Sequence, residues 1–258
     1  MNDRASVEEK IMNKVLTGKV ALVTGGSRGI GAASARELAR NGADVAISYS
    51  ASVDRANSLV AELKDAGVRA AAFRADQSDP VQAAKLIDDV VAAFGGLDIL
   101  VANAAVFVVG PVKSTDNVAF DQMHAINVGG TIASIRAAAD VLRDDGRIVV
   151  MSSGVAYRVG APGLADYAST KAAVEGYVRG AAHDLAPRRI TINALSIGPV
   201  NTEMNPEDGP ISEWLKSVVA LKRYAQPDEI AAVVGFLASP AASYMTGGVV
   251  PVNGGGTA

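Results

Sequence analysis

The sequence predicts an α/β fold: a doubly wound, seven-stranded parallel sheet with helices on both faces. Three observations carry that expectation. Apolar strand-like runs alternate with helical patterns, which implies parallel pairing through crossover helices. The strands read as unbroken apolar runs, such as Ile148-Val149-Val150-Met151, as strands covered on both sides do. The first run, Val20-Ala21-Leu22-Val23, leads through Thr24-Gly25-Gly26-Ser27-Arg28-Gly29-Ile30-Gly31 into a helical pattern.

The elements follow in order. Strand Lys19–Val23 precedes helix Gly29–Asn41, which Asn41-Gly42 stops. Strand Asp44–Tyr49 precedes helix Asp54–Ala66, closed by Gly67. Strand Arg69–Ala75 precedes helix Pro80–Phe94; its proline suits a first helical turn, and Gly95-Gly96 ends it. Strand Leu97–Ala102 precedes one long helix, Asn117–Leu142, and strand Arg147–Met151 precedes helix Ala165–Ala186. Strand Thr191–Leu195, helix Pro227–Ala238 and strand Val249–Val252 complete the pattern. The stretch from Gly198 to Trp214 is the least regular, and its position after a strand end suits a mobile lid over a ligand.

The 258 residues are 49% hydrophobic and 20% charged, ample for one large core. Residues 1–17 read as a polar N-terminal extension and residues 18–258 as a single domain. A net charge of −3 without a long basic run argues against nucleic acid and anionic membranes as partners. No apolar run approaches the roughly 18 residues of a membrane span, and Met1 to Leu16 does not read as a signal peptide. A cytoplasmic protein is expected. The absence of cysteine excludes disulfides, a thiolate nucleophile and cysteine-ligated metal. His124 and His183 form no metal-ligand spacing, so no metal is expected, and His124 reads as a packing residue.

Two features carry chemistry. A strand that turns through glycines into a helix N-terminus is a phosphate cradle: the backbone approaches closely and the first helical N–H groups point at the anion. Tyr167 and Lys171 stand four apart at the start of a helix and so share one face. A phenol of pKa ~10 is a poor acid-base at neutral pH. A nearby ammonium favours the phenolate and lowers that value, so the pair would move a proton to or from a carbonyl or carbinol oxygen.

Together these residues resemble the short-chain dehydrogenase/reductase (SDR) family, from about Gly18 to Gly255. The glycine turn is similar to that family's cofactor motif. Asn103-Ala104-Ala105 resembles its Asn-Ala-Gly motif, and Tyr167-Ala168-Ser169-Thr170-Lys171 its Tyr-x-x-x-Lys. Ser152-Ser153 and Asn127 stand where it has a catalytic serine and a helix asparagine. Ile197-Gly198-Pro199-Val200-Asn201-Thr202 resembles its Pro-Gly-x-Val-x-Thr, with Ile197 in place of the first proline. The resemblance implies a Rossmann-type fold and an oxidoreductase that moves a hydride between a nicotinamide and a carbonyl or secondary alcohol. Tyr167 would be the proton donor or acceptor, and Lys171 would lower its pKa and hold the nicotinamide ribose. Ser153 would hydrogen-bond the substrate oxygen, with Ser152 as a rival. Asn127 would fix a helix and a water linking Lys171 to solvent.

For the dinucleotide, the resemblance implies contacts from Gly25, Ser27, Arg28, Gly29, Ile30, Gly31, Asn103, Ala104, Ala105, Tyr167 and Lys171, and from Gly198, Val200 and Thr202 beyond the sixth strand. Asp76 and the neighbouring Gln77 would lie at the adenine. NAD-preferring members place an acid at the end of the second strand. Here that position is Tyr49, followed by Ser50, Ala51 and Ser52. Without a carboxylate there, and with Arg28 in the turn, NADP(H) is favoured over NAD(H). The long helices imply a homotetramer. Within the family the chain is near members resembling 3-oxoacyl-carrier-protein reductases. The segments Asn205–Pro210 and Leu221–Tyr224 are also similar to a subgroup of biofilm-dispersal proteins that bind a cyclic dinucleotide. A sensor or regulator is therefore the alternative to an enzyme. Trp214 suits either a substrate pocket or the core.

Overall fold

The structure is a computed structural model that describes residues 14–114 and 116–258. Residues 1–13 of the expected extension and Thr115 lie outside the described residues. The seven strands are β1 (Val20–Val23), β2 (Asp44–Tyr49), β3 (Ala70–Arg74), β4 (Leu97–Ala102), β5 (Leu142–Ser153), β6 (Thr191–Ile197) and β7 (Val249–Val252). They form one parallel sheet in the order β3-β2-β1-β4-β5-β6-β7. The strand order reverses between β1 and β4. Ligands of open α/β sheets bind in the crevice at that switch point, beyond the carboxyl ends of the strands.

The strand alternation feeds two cores. Ala21, Val23, Val45 and Ile47 face the layer formed by helices α1 (Gly29–Arg40), α2 (Val53–Asp65) and α8 (Pro227–Ala238). Val20, Leu22 and Ala46 face α3 (Pro80–Phe94), α5 (Thr131–Val141) and α6 (Ala165–Leu185). Successive strand residues point to opposite faces, so an unbroken apolar run is what a doubly covered sheet requires.

Local signals set the helix ends. Asp79 caps α3, accepting from Val81 and Gln82 N–H, and Gly95 closes it at φ 83°. Pro227 opens α8 within a capping box formed by Gln226 and Glu229.

Four expectations are corrected. The long helix Asn117–Leu142 is three pieces: α4 (Asn117–His124), a π-helical turn (Ala125–Gly130) and α5. Such wide turns are rare and gather at functional sites; this one holds Asn127. Strand β5 starts at Leu142 rather than Arg147, because Leu142 pairs with Leu97 before the register shifts. The irregular stretch ends in the start of a short helix, α7 (Ser212–Val218). Leu16, read as part of the polar extension, is a core residue whose N–H donates to the Asn41 carbonyl at 2.8 Å. Also unlike the sequence reading, His124 is exposed, and its neighbour Met123 is the buried member of that turn.

At the amino end of the sheet one carboxylate joins three elements. Asp98, with a side chain 3% exposed, accepts from Val20 N at 2.9 Å, Lys19 Nζ at 3.1 Å and Arg143 Nη1 at 2.7 Å. Removing it would leave the Val20 N–H buried without a partner, while the half-exposed cations could rehydrate. Asp98→Ala is therefore expected to cost about 2–3 kcal/mol, read as a lower urea midpoint at unchanged slope. A loss below about 0.5 kcal/mol would show that the carboxylate does not tie the strands.

Candidate active site

The cleft at the switch point begins in the glycine turn. A Cβ on Gly31 would stand 2.5 Å from the Gly25 carbonyl and 2.6 Å from Asn103 Nδ2. Only a bare Cα lets the start of α1 lie against the end of β4. Asn103 completes the junction, donating through Nδ2 to the carbonyls of Thr24 (2.9 Å) and Gly25 (3.1 Å). Thr24 Oγ1 accepts from the N–H groups of Asn103 and Ala104. Helix α1 has no side-chain cap and no acidic residue in its first turn. No side chain caps its N-terminal N–H groups, which leaves them for a phosphate.

The cleft runs from the end of β2 to the start of α6. Gly25, Ser27, Arg28, Gly29, Ile30 and Gly31 line one wall; Tyr49, Ser50, Ser52, Asp76 and Gln77 line the end beside β2 and β3. Asn103, Ala104, Ala105, Tyr167, Lys171 and Thr202 line the rest. No carboxylate stands at Tyr49–Ser52. Asp76 accepts from the N–H and hydroxyl of Ser78, and the buried Gln77 amide donates to Ser134 at 3.0 Å. Thr202 packs against Gly29, where a Cβ would meet its methyl at 3.4 Å.

Gly198 and Val200 are not part of this lining. A Cβ on Gly198 would collide with the Asn253 backbone at 2.8 Å, so that glycine serves the approach of β6 to the chain after β7. Val200 is buried in the core and bridges to Ala225. Sequence reasoning missed Ser48, Met151, Ile126, Glu203 and Met204, which line the cleft. The apolar pattern offered no signal for the first three; Glu203 and Met204 follow directly on the Thr202 motif.

At the far end the proton-handling groups converge. Ser153 stands beside the Tyr167 phenol and favours its ionised form. Ser152, one residue earlier on the strand, borders the cleft and donates to the buried Glu175 carboxylate at 2.8 Å. Lys171 is buried; its Nζ donates to the Met151 carbonyl at 3.0 Å and lies 5.6 Å from the centre of the Tyr167 ring. Asn127 clamps the loop after β4, exchanging hydrogen bonds with the Val106 N–H and carbonyl, both 2.9 Å, and donating to Thr170 Oγ1 at 3.3 Å. Phe107 on that loop packs edge-on against Tyr167, with ring centres 4.7 Å apart.

The electrostatics correct one expectation. Burial pushes the Tyr167 phenol up to about 12, outweighing Ser153, which acts the other way. Burial also brings Lys171 down to about 8. Taking a charge out of water costs more here than the pair recovers, so Tyr167 is a neutral phenol at pH 7, able to give a proton.

The remaining sequence signals fall at the rim. Trp214 is partly exposed, close to Gly160 on the facing loop. Asn205 pairs with Thr202 and accepts from the Tyr224 hydroxyl at 3.3 Å, joining the two segments that resemble the biofilm-dispersal subgroup. Among the described residues, no group of three acidic or imidazole side chains is placed to hold a metal. No described helix is long and apolar enough to cross a membrane.

Comparison with known proteins agrees with this architecture. A family model described as enoyl-(acyl carrier protein) reductase matches residues 25–257. A probable tetrahydroxynaphthalene reductase of Zymoseptoria tritici is 39% identical over 252 residues, covering 93% of this chain and 94% of its own. A cyclic-di-GMP-binding biofilm dispersal mediator protein of Escherichia coli is 39% identical over 238 residues, covering 92% and 97%. A short chain dehydrogenase of Burkholderia cenocepacia, crystallised in complex with NADP, is 44% identical with a TM-score of 0.93, covering 95% of this chain and all of that one. With this sheet order, a glycine turn at its switch point and these relatives, the chain belongs to the short-chain dehydrogenase/reductase family of NAD(P)-dependent oxidoreductases.

Proposed function

We propose that the protein is an NADP(H)-dependent reductase of a ketone with an apolar body, with Tyr167 as proton donor. One observation carries the reading: a half-buried phenol beside Ser153 stands at one end of a cleft whose other end is an uncapped helix N-terminus without a carboxylate at Tyr49–Ser52. NADP or NADPH is bound in crystals of the Burkholderia relative and of BdcA, the latter 38% identical with a TM-score of 0.85 over 93% of this chain and 95% of that one. The glycine turn, Ser27 and the start of α1 would hold the pyrophosphate, and Arg28, Ser50 and Ser52 the 2′-phosphate. Thr202 would lie near the nicotinamide and Lys171 at its ribose.

When bound, the dihydronicotinamide supplies the hydride. The chain supplies the rest. Ser153 and Tyr167 donate hydrogen bonds to the carbonyl oxygen and so stabilise the charge that grows there. The Tyr167 proton passes to that oxygen. Lys171, held by the Met151 carbonyl, stabilises the phenolate left behind, and Asn127 holds the Val106 loop against α6. The apolar side chains Phe107, Val109, Tyr157, Val159 and Met204 in loops, and Trp214 in α7, are exposed around this end. They favour a substrate with an apolar body over a strongly charged one. The reductases among the relatives act on tetrahydroxynaphthalene and versicolorin by name. A cyclic-dinucleotide sensor would not need the Ser153–Tyr167–Lys171 set, which favours the enzyme.

Tyr167→Phe tests the chemistry. Turnover of an apolar ketone panel with NADPH is expected to fall by about 10³-fold or more, while NADPH affinity stays within a factor of about three. Activity within twofold of the parent would remove Tyr167 from the mechanism. A cyclic-di-GMP titration on the same preparation checks the sensor reading.

Lys171 makes a stability prediction. Its value is about 8 in the fold against an ordinary 10.5. Between those values the unfolded chain carries a proton that the folded chain lacks, so this group makes stability rise with pH across that window. Below pH 8 its full penalty, about 3 kcal/mol, is present. Lys171→Met should therefore stabilise the fold at pH 7 by about 1–2 kcal/mol, after loss of the Met151 hydrogen bond. The gain should shrink toward pH 10.5 and accompany lost turnover. Equal destabilisation at both pH values in chemical denaturation would refute the buried cation.

The oligomer is a homotetramer in this reading. Helix α6 exposes Ala172, Ala173, Gly176 and Gly180, and a Cβ on either glycine would meet nothing within 4 Å. Such a face admits the close approach of a second α6 about a twofold axis. Light scattering through a dilution series should give the tetramer mass. A monomer at micromolar concentration contradicts this, and a dimer supports the α6 twofold but not the tetramer.

A further inference from the structure

The open end of the cleft holds an arrangement that the mechanism does not use. Glu203, on the loop after β6, reaches back across the rim to two arginines on separate elements. Arg28 Nη1 lies 3.3 Å from Oε2, and Arg55 Nη1 lies 2.5 Å from Oε1 and 2.6 Å from Oε2. Arg28 is the residue that starts α1; Arg55 sits in the first turn of α2, just past Ser50 and Ser52. Glu203, Arg28, Ser50 and Ser52 all line the cleft. The two guanidinium groups hold the Glu203 carboxyl below its usual range, Arg55 contributing most.

Two guanidinium groups converging on one carboxylate form an anion site, and planar forks of this kind bind phosphate as readily as carboxylate. The anion here belongs to the chain itself. We infer that Arg55 is a second cationic ligand of the dinucleotide's 2′-phosphate, and that Glu203 is a tethered counter-ion which that phosphate must displace. The inference rests on the NADP(H) reading above and extends it. A 2′-hydroxyl carries no charge with which to take both arginines from a carboxylate, so a nucleotide lacking the phosphate leaves the clasp closed. Discrimination then has two parts: attraction of the phosphate by Arg28 and Arg55, and release of the Glu203 loop from the adenosine end. Glu203 also weakens phosphate binding by competing for the same donors.

The test uses adenosine 2′,5′-bisphosphate and adenosine 5′-diphosphate, which report on this end of the cleft without the nicotinamide. Titration calorimetry on the full chain should show wild type binding the 2′-phosphorylated probe more tightly. Glu203→Gln should strengthen that binding about 3–10-fold and leave adenosine 5′-diphosphate unchanged. Arg55→Ala should weaken the 2′-phosphorylated probe about 10-fold or more, again selectively. The three side chains are more than half exposed, and unchanged thermal midpoints would verify folding. If wild type prefers the 2′-phosphate but neither variant moves the preference, the clasp is wrong and the NADP(H) reading stands. If wild type shows no preference for the 2′-phosphate, both are wrong. If Glu203→Gln weakens adenosine 5′-diphosphate, Glu203 is a ribose ligand and the competitor role is refuted.

Discussion

The close approach of the glycine turn to the end of β4 is the constraint on which the site depends. Gly31 leaves room for the Asn103 amide, and that amide holds the Thr24 and Gly25 carbonyls. The contact sets where α1 begins and aims its first N–H groups. It also fixes the start of the loop that runs past Val106 to Phe107. Asn127 holds that loop from the other side and, through Thr170, reaches α6 one residue before Lys171. A chain of short polar contacts thus joins the phosphate end of the cleft to the proton end. A bulkier residue at Gly31 would disturb both.

The two ends of the cleft use charge in opposite ways. At the inner end Lys171 is buried and Tyr167 half-buried, and desolvation keeps the phenol neutral and makes the ammonium reluctant to carry its proton. Charge that develops there during reaction meets few competing waters, so each hydrogen bond counts for more. At the outer end Arg28, Arg55 and Glu203 are solvated, and their attraction is screened and easily exchanged. Buried groups suit proton transfer, which needs fixed geometry. Exposed groups suit a phosphate that must enter and leave.

The parallel sheet of seven strands and its two covered faces were legible in the sequence because unbroken apolar runs alternating with helices admit few other solutions. The glycine turn, Asn103 and the Tyr167–Lys171 spacing were legible for the same kind of reason: each depends on local backbone geometry. What escaped depended on tertiary contact. The π-helical turn is invisible in the periodicity of Asn117–Leu142, because a single wide turn shifts the apolar face without breaking it. The Leu97–Leu142 pairing that lengthens β5 follows from sheet register. The raised Tyr167 value follows from burial, whereas spacing alone pointed to the ammonium. The Arg55–Glu203 pair spans 148 positions, beyond the reach of any local pattern.

The choice between the two serines shows how one strand serves stability and chemistry together. Met151, Ser152 and Ser153 end β5 beside helix α6. Ser152 turns toward α6 and donates to Glu175, which lies one helical turn beyond Lys171. Ser153 stands beside Tyr167, one turn before Lys171. Lys171 itself donates to the carbonyl of Met151 on the same strand. Three successive strand residues therefore grip three successive turns of one helix face. Sliding the helix by one residue would break all three contacts, so the register that places the phenol beside Ser153 is set by the contact that buries Ser152.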